Sequence, residues 1–473
     1  MDYTALDRRI EHMQDEMVED IRRWISINSV QGEACGENAP FGREVRRALD
    51  MALADGKKYG FRVRDLDGYC GELAMGQGDE VMGMLCHLDV VPAGYGWTKD
   101  PFGGEIENGR LYGRGTMDDK GPAVAAMYAM RAVLEENIPL KHEVRLILGC
   151  DEETGMSDME HYRAVRGKLP DYGFSPDAEF PVINIEKGGL NILLSKTTGG
   201  EEGAELPVYA LRAGVRPNVV PGLATAVVGT ATVSLEAQRK MLAAIGEKHG
   251  FDLRIDPEGD GRAVITATGV SAHASTPHLG KNAAGMLLIA LAEMGAGGGS
   301  KGAIAALAEK VGMEYDGNRL GVRQQDEQSG PLTCNLGILR YDGVEITAQL
   351  DIRYPLCAGE TEMCGKIAMA VSDDRLAVTR LGGHTPHHVP KDHRLVKGLL
   401  KVYGEVTGLP AYAFAIGGGT YSRCMPNTVA FGINFPGDVD TCHMPDEYME
   451  LDKLTMAVKV FAHAIVELAG AQA

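Results

Sequence analysis

Through the first part of the chain, short continuous apolar runs alternate with segments whose apolar residues recur at helical spacing. Val81 to Cys86 and Val144 to Cys150 are short and apolar, broken in the second only by Arg145, which predicts buried strands. Between them, Pro122 followed by the run Ala123 to Leu134 predicts a helix. The opening MDYTALDRRIEHMQDEMVEDIRRWISI is charged and helical in period. Residues 1 to about 186 therefore predict an α/β, doubly wound sheet, an architecture that places its sites at the carboxyl ends of strands.

From about 187 to 384 the pattern changes. ILLSKTT, VYALRA, TATVSLEA, AVITATG, CNLGILRYD and VEITAQLDIRYP alternate as half-buried strands do, with helices predicted around 235 to 249, 282 to 294 and 362 to 371 and a loop at Gly295 to Gly302. This is a large α+β insertion, about twice what one α/β layer needs, and it predicts two similar subdomains side by side. Beyond about 385 the first pattern resumes with a helix from Leu395 to Val406 and a strand from Tyr412 to Ile416. The predicted organisation is thus a first domain built from residues 1–186 and 385–473, interrupted by an insertion at 187–384.

Composition narrows the function classes. With 473 residues, 44% hydrophobic and 24% charged, the chain can bury more than one core. A formal charge of −19 argues against nucleic acid, which needs a basic face. Nine cysteines without CxxC spacing predict neither a zinc ribbon nor a disulfide framework, and no apolar stretch is long enough to span a bilayer. A cytoplasmic protein that engages no membrane is expected.

The candidate chemistry lies at the ends of the predicted elements. His87 and Asp89 share one face at a strand end, where the Asp can hold the imidazole from behind; a histidine merely bonded to a loop is the plainer alternative. Asp118 and Asp119 fall in a glycine-rich turn feeding the helix after Pro122, a position also suited to a solvated cap. Asp151, Glu152 and Glu153 are adjacent acids whose repulsion a cation would relieve, with Glu153 turned to metal and Glu152 to a reacting water; an exposed acidic loop would also accommodate them. With Asp177 and His443 the set offers two imidazoles and three carboxylates, enough for two divalent metals when one carboxylate bridges them. Gly417, Gly418 and Gly419 open towards a predicted helix, and the N–H groups of Gly418 and Gly419 can face a substrate anion; a bare tight turn is the alternative.

HLDVVPAG, YGRGTMDDKGP, DEETG, SPDAEFP and CHMPDE, in this order and spacing, resemble the aminoacylase and carboxypeptidase G family of two-metal peptidases, most closely its dipeptidase V branch. PFGREVRRALD, GVRPNVVP, SAHAS, DIRYP and GGGTYSR extend the resemblance along nearly the whole chain. The resemblance implies that His87 and Asp177 hold one metal, Glu153 and His443 the other, and that Asp118 bridges them. It implies further that Glu152 is the general base, that Asp89 supports His87, and that the Asp118–Asp119 peptide is cis. The insertion would be a lid, in which Asn218, His273 and Arg353 bind the substrate carboxylate or the transition-state oxygen. By residue pattern alone, His273 could equally be a packed loop histidine and Arg353 a sheet-edge ion pair.

The implied reaction is hydrolysis of an unblocked dipeptide. A water held between the metals loses its proton to Glu152 as it attacks the amide carbon, Glu152 returns the proton to the leaving nitrogen, and His273 donates to the oxyanion once the lid is closed. The all-oxygen and nitrogen donor set suits zinc first, with manganese or cobalt as alternatives. An N-acyl amino acid amidohydrolase is the rival within hydrolases, and a silent metal-binding module is the rival outside them. A two-metal phosphoesterase would need cationic clamps, for which only Arg114 and Lys120 are candidates. The doubled insertion predicts a monomer, because it supplies within one chain surface that a single-lid relative takes from a partner.

Overall fold

A computed structural model describes residues 3–471. They form two compact units. The first holds the chain up to Ile185, then His388–Phe414 and the chain from Gly419 onward; the second holds Glu186–His387 and Ala415–Gly418.

The first unit is built on a mixed sheet of β1 (Arg62–Leu66), β2 (Cys70–Met75), β3 (Val81–His87), β4 (Glu143–Gly149), β5 (Tyr172–Ser175), β6 (Val182–Glu186) and β7 (Thr428–Ala430). Their spatial order is β1-β2-β4-β3-β5-β7-β6. The central run β4-β3-β5-β7 is parallel, as the apolar, unalternating sequences of its strands require for burial on both faces. The hairpin β1-β2 and strand β6 add antiparallel edges. Helix Lys120–Glu135 is apolar around nearly its whole circumference and packs against helix Leu451–Ala469 within one core.

An aromatic joint ties the late segment to the early one. Phe174 of β5 lies 5.4 Å from Phe431, just beyond β7, and 5.5 Å from Phe461 of the last helix, with Phe180 4.9 Å from Phe431. Each such buried ring contributes about 1.5–3 kcal/mol by leaving water. The joint admits no side chain at residue 432: a Cβ on Gly432 would fall 2.5 Å from the Phe180 ring. It explains how a segment 257 residues downstream, at Phe431, returns beside Phe174 of β5.

In the second unit one antiparallel sheet runs in the order Asp252–Gly259, Arg262–Thr268, Leu223–Gly229, Val208–Ala213, Thr333–Tyr341, Glu345–Tyr354, Gly188–Thr197 and Ala377–His384. The two sets of strands expected as neighbouring subdomains are therefore continuous, meeting where Leu211 pairs with Tyr341. Helices Leu235–His249, Ala283–Glu293 and Glu360–Ala370 match the predicted segments, and Lys301–Lys310 is a further helix. That helix starts inside the stretch read as a loop, because the glycines before it mask its onset. Among the described residues, no helix is long and apolar enough to cross a membrane.

Candidate metal centre

Four of the predicted residues lie at carboxyl ends of the parallel strands: His87 closes β3, Glu152 and Glu153 follow β4, and Asp177 follows β5. Asp118 comes from the turn before helix Lys120–Glu135, where Gly115 has φ +90° and Gly121 leaves room for Thr116, whose carbonyl oxygen would meet a Cβ at 1.9 Å. His443 arrives on a loop with φ 64°. The first unit thus brings all five together, with Glu152.

His87 is wholly buried. Its Nδ1 lies 2.9 Å from the Asp89 carbonyl oxygen, which can only accept, so Nδ1 carries the hydrogen and Nε2 presents a lone pair. That lone pair faces oxygens, 2.9 Å from Asp118 Oδ1 and 3.7 Å from Asp177 Oδ2. Nε2 makes no hydrogen bond of sound geometry. A buried lone pair set among carboxylate oxygens fits a cation.

The Asp118 carboxylate spans the cluster. Its Oδ2 is 2.9 Å from His443 Nε2, which is 3.1 Å from Glu153 Oε1. One carboxylate oxygen therefore faces the His87–Asp177 pair and the other the His443–Glu153 pair. The ligand atoms of His87, Asp118 and Glu153 lie within 4.8 Å of one another, and so do those of His87, Glu152 and Asp177. Distance alone therefore admits Glu152 as a ligand as well as a base. The Asp118–Asp119 peptide is cis.

Burial pushes the carboxyls of Glu152 and Asp177 well above the usual carboxylate range, reinforced for Glu152 by Glu153 and Asp118 and for Asp177 by Asp118 and Asp119. Glu153 is raised by burial and by Asp118. Asp118 moves the other way: burial opposes its ionisation, but the imidazoles of His443 and His87 beside it hold it low. Burial would depress His443, yet Asp118 and Glu153 raise it to about 10. The acids crowd together beyond what the two imidazoles can balance, an excess of negative charge that a divalent cation would relieve.

Asp89 supports the centre differently from the expectation. Its carbonyl, not its carboxylate, is the nearer partner of His87 Nδ1, the carboxylate standing at 3.4 Å. The two carboxylate oxygens instead accept the backbone N–H groups of Glu152 at 3.2 Å and Glu153 at 3.1 Å. Asp151 turns away from the centre, accepting from Gln31 Nε2 and from Ser157.

Two supports escaped the sequence reading. Glu447 is wholly buried, and its Oε1 accepts the backbone N–H groups of Gly115, Met117 and Asp118 at 3.0, 2.8 and 3.3 Å while its other oxygen takes Arg114. It clamps the Asp118 turn from a point four residues beyond His443. Asp158 accepts the N–H groups of Cys150 and Asp151 and the hydroxyl of Tyr421, whose ring stands edge-on to His87 at 6.2 Å. Glu447 stands inside CHMPDE and Tyr421 inside GGGTYSR, but no spacing rule marks either as a brace. Arg114 is paired with Glu447, and buried Lys120 donates to the carbonyls of Trp24 and Ile27, so both cations that the sequence offered for a phosphate clamp are engaged elsewhere.

The second unit gathers the other candidates. Asn218 accepts the N–H of Ala274 at 2.9 Å, and Val219 bridges to His273. Thr333 donates to the Ala274 carbonyl and is the cross-strand partner of Arg353. Arg353 forks onto Asp351 at 2.6 and 2.9 Å and donates to the Gly417 carbonyl at 3.1 Å. The glycine run does not open a full helix: after Gly419 comes one 3₁₀ turn, Tyr421–Cys424, in which the Ser422 N–H donates to the Thr420 side chain. A single 3₁₀ turn carries too small a dipole to hold an anion by itself, so the N–H groups of Gly418 and Gly419 would meet a substrate anion as ordinary hydrogen-bond donors.

Acids and imidazoles gathered at strand ends, with an acid poised beside them, belong to hydrolases that activate water with metal rather than with a protein nucleophile. Comparison with known proteins makes the class specific: residues 83–467 match Peptidase family M20/M25/M40, and the chain belongs to that family. The Bacillus subtilis (strain 168) protein YtjP is 38% identical over 460 residues, 96% of this chain and 98% of its own. The Beta-Ala-Xaa dipeptidase of Lactobacillus delbrueckii subsp. lactis is 34% identical over 463 residues, covering 97% of each chain. Among solved structures, the di-peptidase Dug1p of Saccharomyces cerevisiae aligns over 98% of both chains with a TM-score of 0.60 at 11% identity. Human carnosine dipeptidase 1 aligns over 98% of both with a TM-score of 0.59 at 15% identity, so both establish the shared fold.

Proposed function

We infer that this chain is a metal-dependent dipeptidase that hydrolyses unblocked dipeptides. The observation that carries the reading is the Asp118 carboxylate, with one oxygen towards each of two histidine–acid pairs. His87 and Asp177 would hold one divalent cation, His443 and Glu153 a second, and Asp118 would serve both. Bound there, zinc would supply the positive charge that acidifies a water and polarises the scissile carbonyl. Zinc suits the donor set, with manganese or cobalt as the alternatives.

Glu152 is the proton carrier. Its carboxylate takes the proton of the attacking water and delivers it to the amide nitrogen as the peptide bond breaks, and its raised pKa, from burial and neighbouring acids, brings it closer to the working pH. Asp89 holds Glu152 and Glu153 in register through their backbone N–H groups. In the second unit, Arg353 and Asn218 take the free carboxylate of the substrate and His273 donates to the oxyanion. The similarity to a Beta-Ala-Xaa dipeptidase supports the dipeptide class over N-acyl amino acids. Nine free thiols support a cytoplasmic setting, and the enzyme is proposed to act as a monomer.

The test is to strip the metal, restore zinc, manganese or cobalt separately, and assay dipeptides, tripeptides and N-acyl amino acids. Metal-dependent turnover of dipeptides, with the others slower by at least about tenfold, is expected. Preference for N-acyl amino acids would replace the reading with a deacylase, and no turnover with any metal would leave a binding module.

A further inference from the structure

Resting on the reading of His273 as an oxyanion donor, the geometry points to Ser275 as the positioning residue that holds His273 in the tautomer this role requires. A neutral imidazole can donate from only one nitrogen, so the proton must sit on the nitrogen facing the substrate. The other nitrogen, Nδ1, decides which.

Two contacts reach Nδ1. The backbone N–H of Ser275 points to it at 3.3 Å, and the Ser275 hydroxyl lies at 2.7 Å. A backbone N–H has no acceptor capacity, so Nδ1 must offer a lone pair to it. The hydroxyl, free to rotate, then donates to the same nitrogen rather than accepting from it. Both contacts are satisfied only when the ring proton is on Nε2. The tautomer is therefore set by the chain itself, before any substrate is present.

The surroundings keep this arrangement in place. The backbone at His273 is held by the bridge to Val219 and by the bonds Ala274 N–H to Asn218 and Val220 N–H to Ala272. The turn closes with Thr276 N–H on the His273 carbonyl at 3.0 Å. On its far side, Ser275 packs on Gly417, where a Cβ would fall 2.5 Å from the Ser275 Cβ. The Gly417 carbonyl accepts from Arg353, itself forked onto Asp351. Ser275 is thus fixed by the same glycine that fixes the proposed carboxylate receptor, so the two substrate contacts of the second unit are set in one piece.

The experiment is ¹⁵N NMR of the histidine side chains in the full-length zinc-loaded protein, with the His273 signals assigned by difference from His273→Gln. In the wild type, His273 is expected to show a protonated Nε2 and an unprotonated Nδ1. In Ser275→Ala the 2.7 Å hydroxyl contact is lost and only the longer backbone contact at 3.3 Å remains, so both signals should move partway towards each other as the second tautomer becomes populated. In the same variant kcat for a dipeptide should fall about tenfold with KM little changed, less than the roughly hundredfold or greater loss when an oxyanion donor is deleted. A proton on Nδ1 in the wild type, or signals unmoved in Ser275→Ala, would overturn the inference. A tautomer shift with unchanged kcat would uphold Ser275 as the positioning residue and remove His273 from oxyanion stabilisation, so the two ideas fail separately.

Discussion

At the scale of single residues, the site turns on two neighbouring acids with different tasks. Glu152 and Glu153 are adjacent and both raised by burial, yet Glu153 touches His443 and Glu152 lies near His87 and Asp177. Glu152→Gln keeps the shape and removes the proton acceptor. It is expected to retain about the wild-type metal content while turnover falls by about 10²–10⁴-fold, read by metal analysis beside steady-state kinetics. Loss of metal in that variant would make Glu152 a ligand instead. Asp118→Ala is expected to release both metals together, because each oxygen faces a different histidine, whereas His87→Ala should weaken chiefly one. The candidate ligands were legible because each stood in a motif whose order and spacing resemble a known family. The partner of His87 Nδ1 was not: the sequence places Asp89 behind the ring but cannot say whether its carbonyl or its carboxylate turns to it.

At the scale of elements, the turn holding Asp118 depends on a distant clamp. Glu447 accepts three backbone N–H groups of that turn, so the loop bearing His443 and the turn bearing the spanning carboxylate are fastened to each other. Glu447→Gln has one acceptor oxygen left and an amide that repels the donors it meets. We expect metal affinity to drop about 10- to 100-fold, measured by competition with a chelator, and the metal-free variant to unfold below the wild-type temperature because buried Arg114 loses its counter-charge. Unchanged metal affinity would show that the clamp is dispensable to the centre. Strands and helices of the first unit could be read from apolar period, since β3 and β4 are buried along almost their whole length. Pairing could not: nothing local distinguishes the antiparallel edges β2 and β6 from the parallel centre, and nothing local shows that two sets of strands in the second unit merge into one sheet.

At the scale of the whole molecule, the acidic centre makes stability a function of metal. Asp118, Asp119, Glu152, Glu153 and Asp177 crowd one buried region, and a cation that binds only the folded chain stabilises it by about 2.7 kcal/mol at a free concentration of 100 times Kd. Chelation should therefore lower the unfolding temperature in calorimetry and zinc restore it; a temperature indifferent to chelator would mean that protons alone suffice to balance the acids. The same economy of groups bears on oligomeric state. One chain carries the acids and imidazoles in its first unit, and Asn218, His273 and Arg353 linked through Ala274 and Thr333 in its second. We propose that the two units of one chain supply all of these groups to one reaction, so the enzyme should sediment as a monomer. Mixing His273→Ala with Glu152→Gln should then recover no activity, because each chain lacks a different group and neither can lend its own. Recovery approaching about a quarter of wild-type turnover, the fraction of sites with both groups intact in randomly mixed two-chain assemblies, would show that His273 serves a second chain and that the working enzyme is an oligomer.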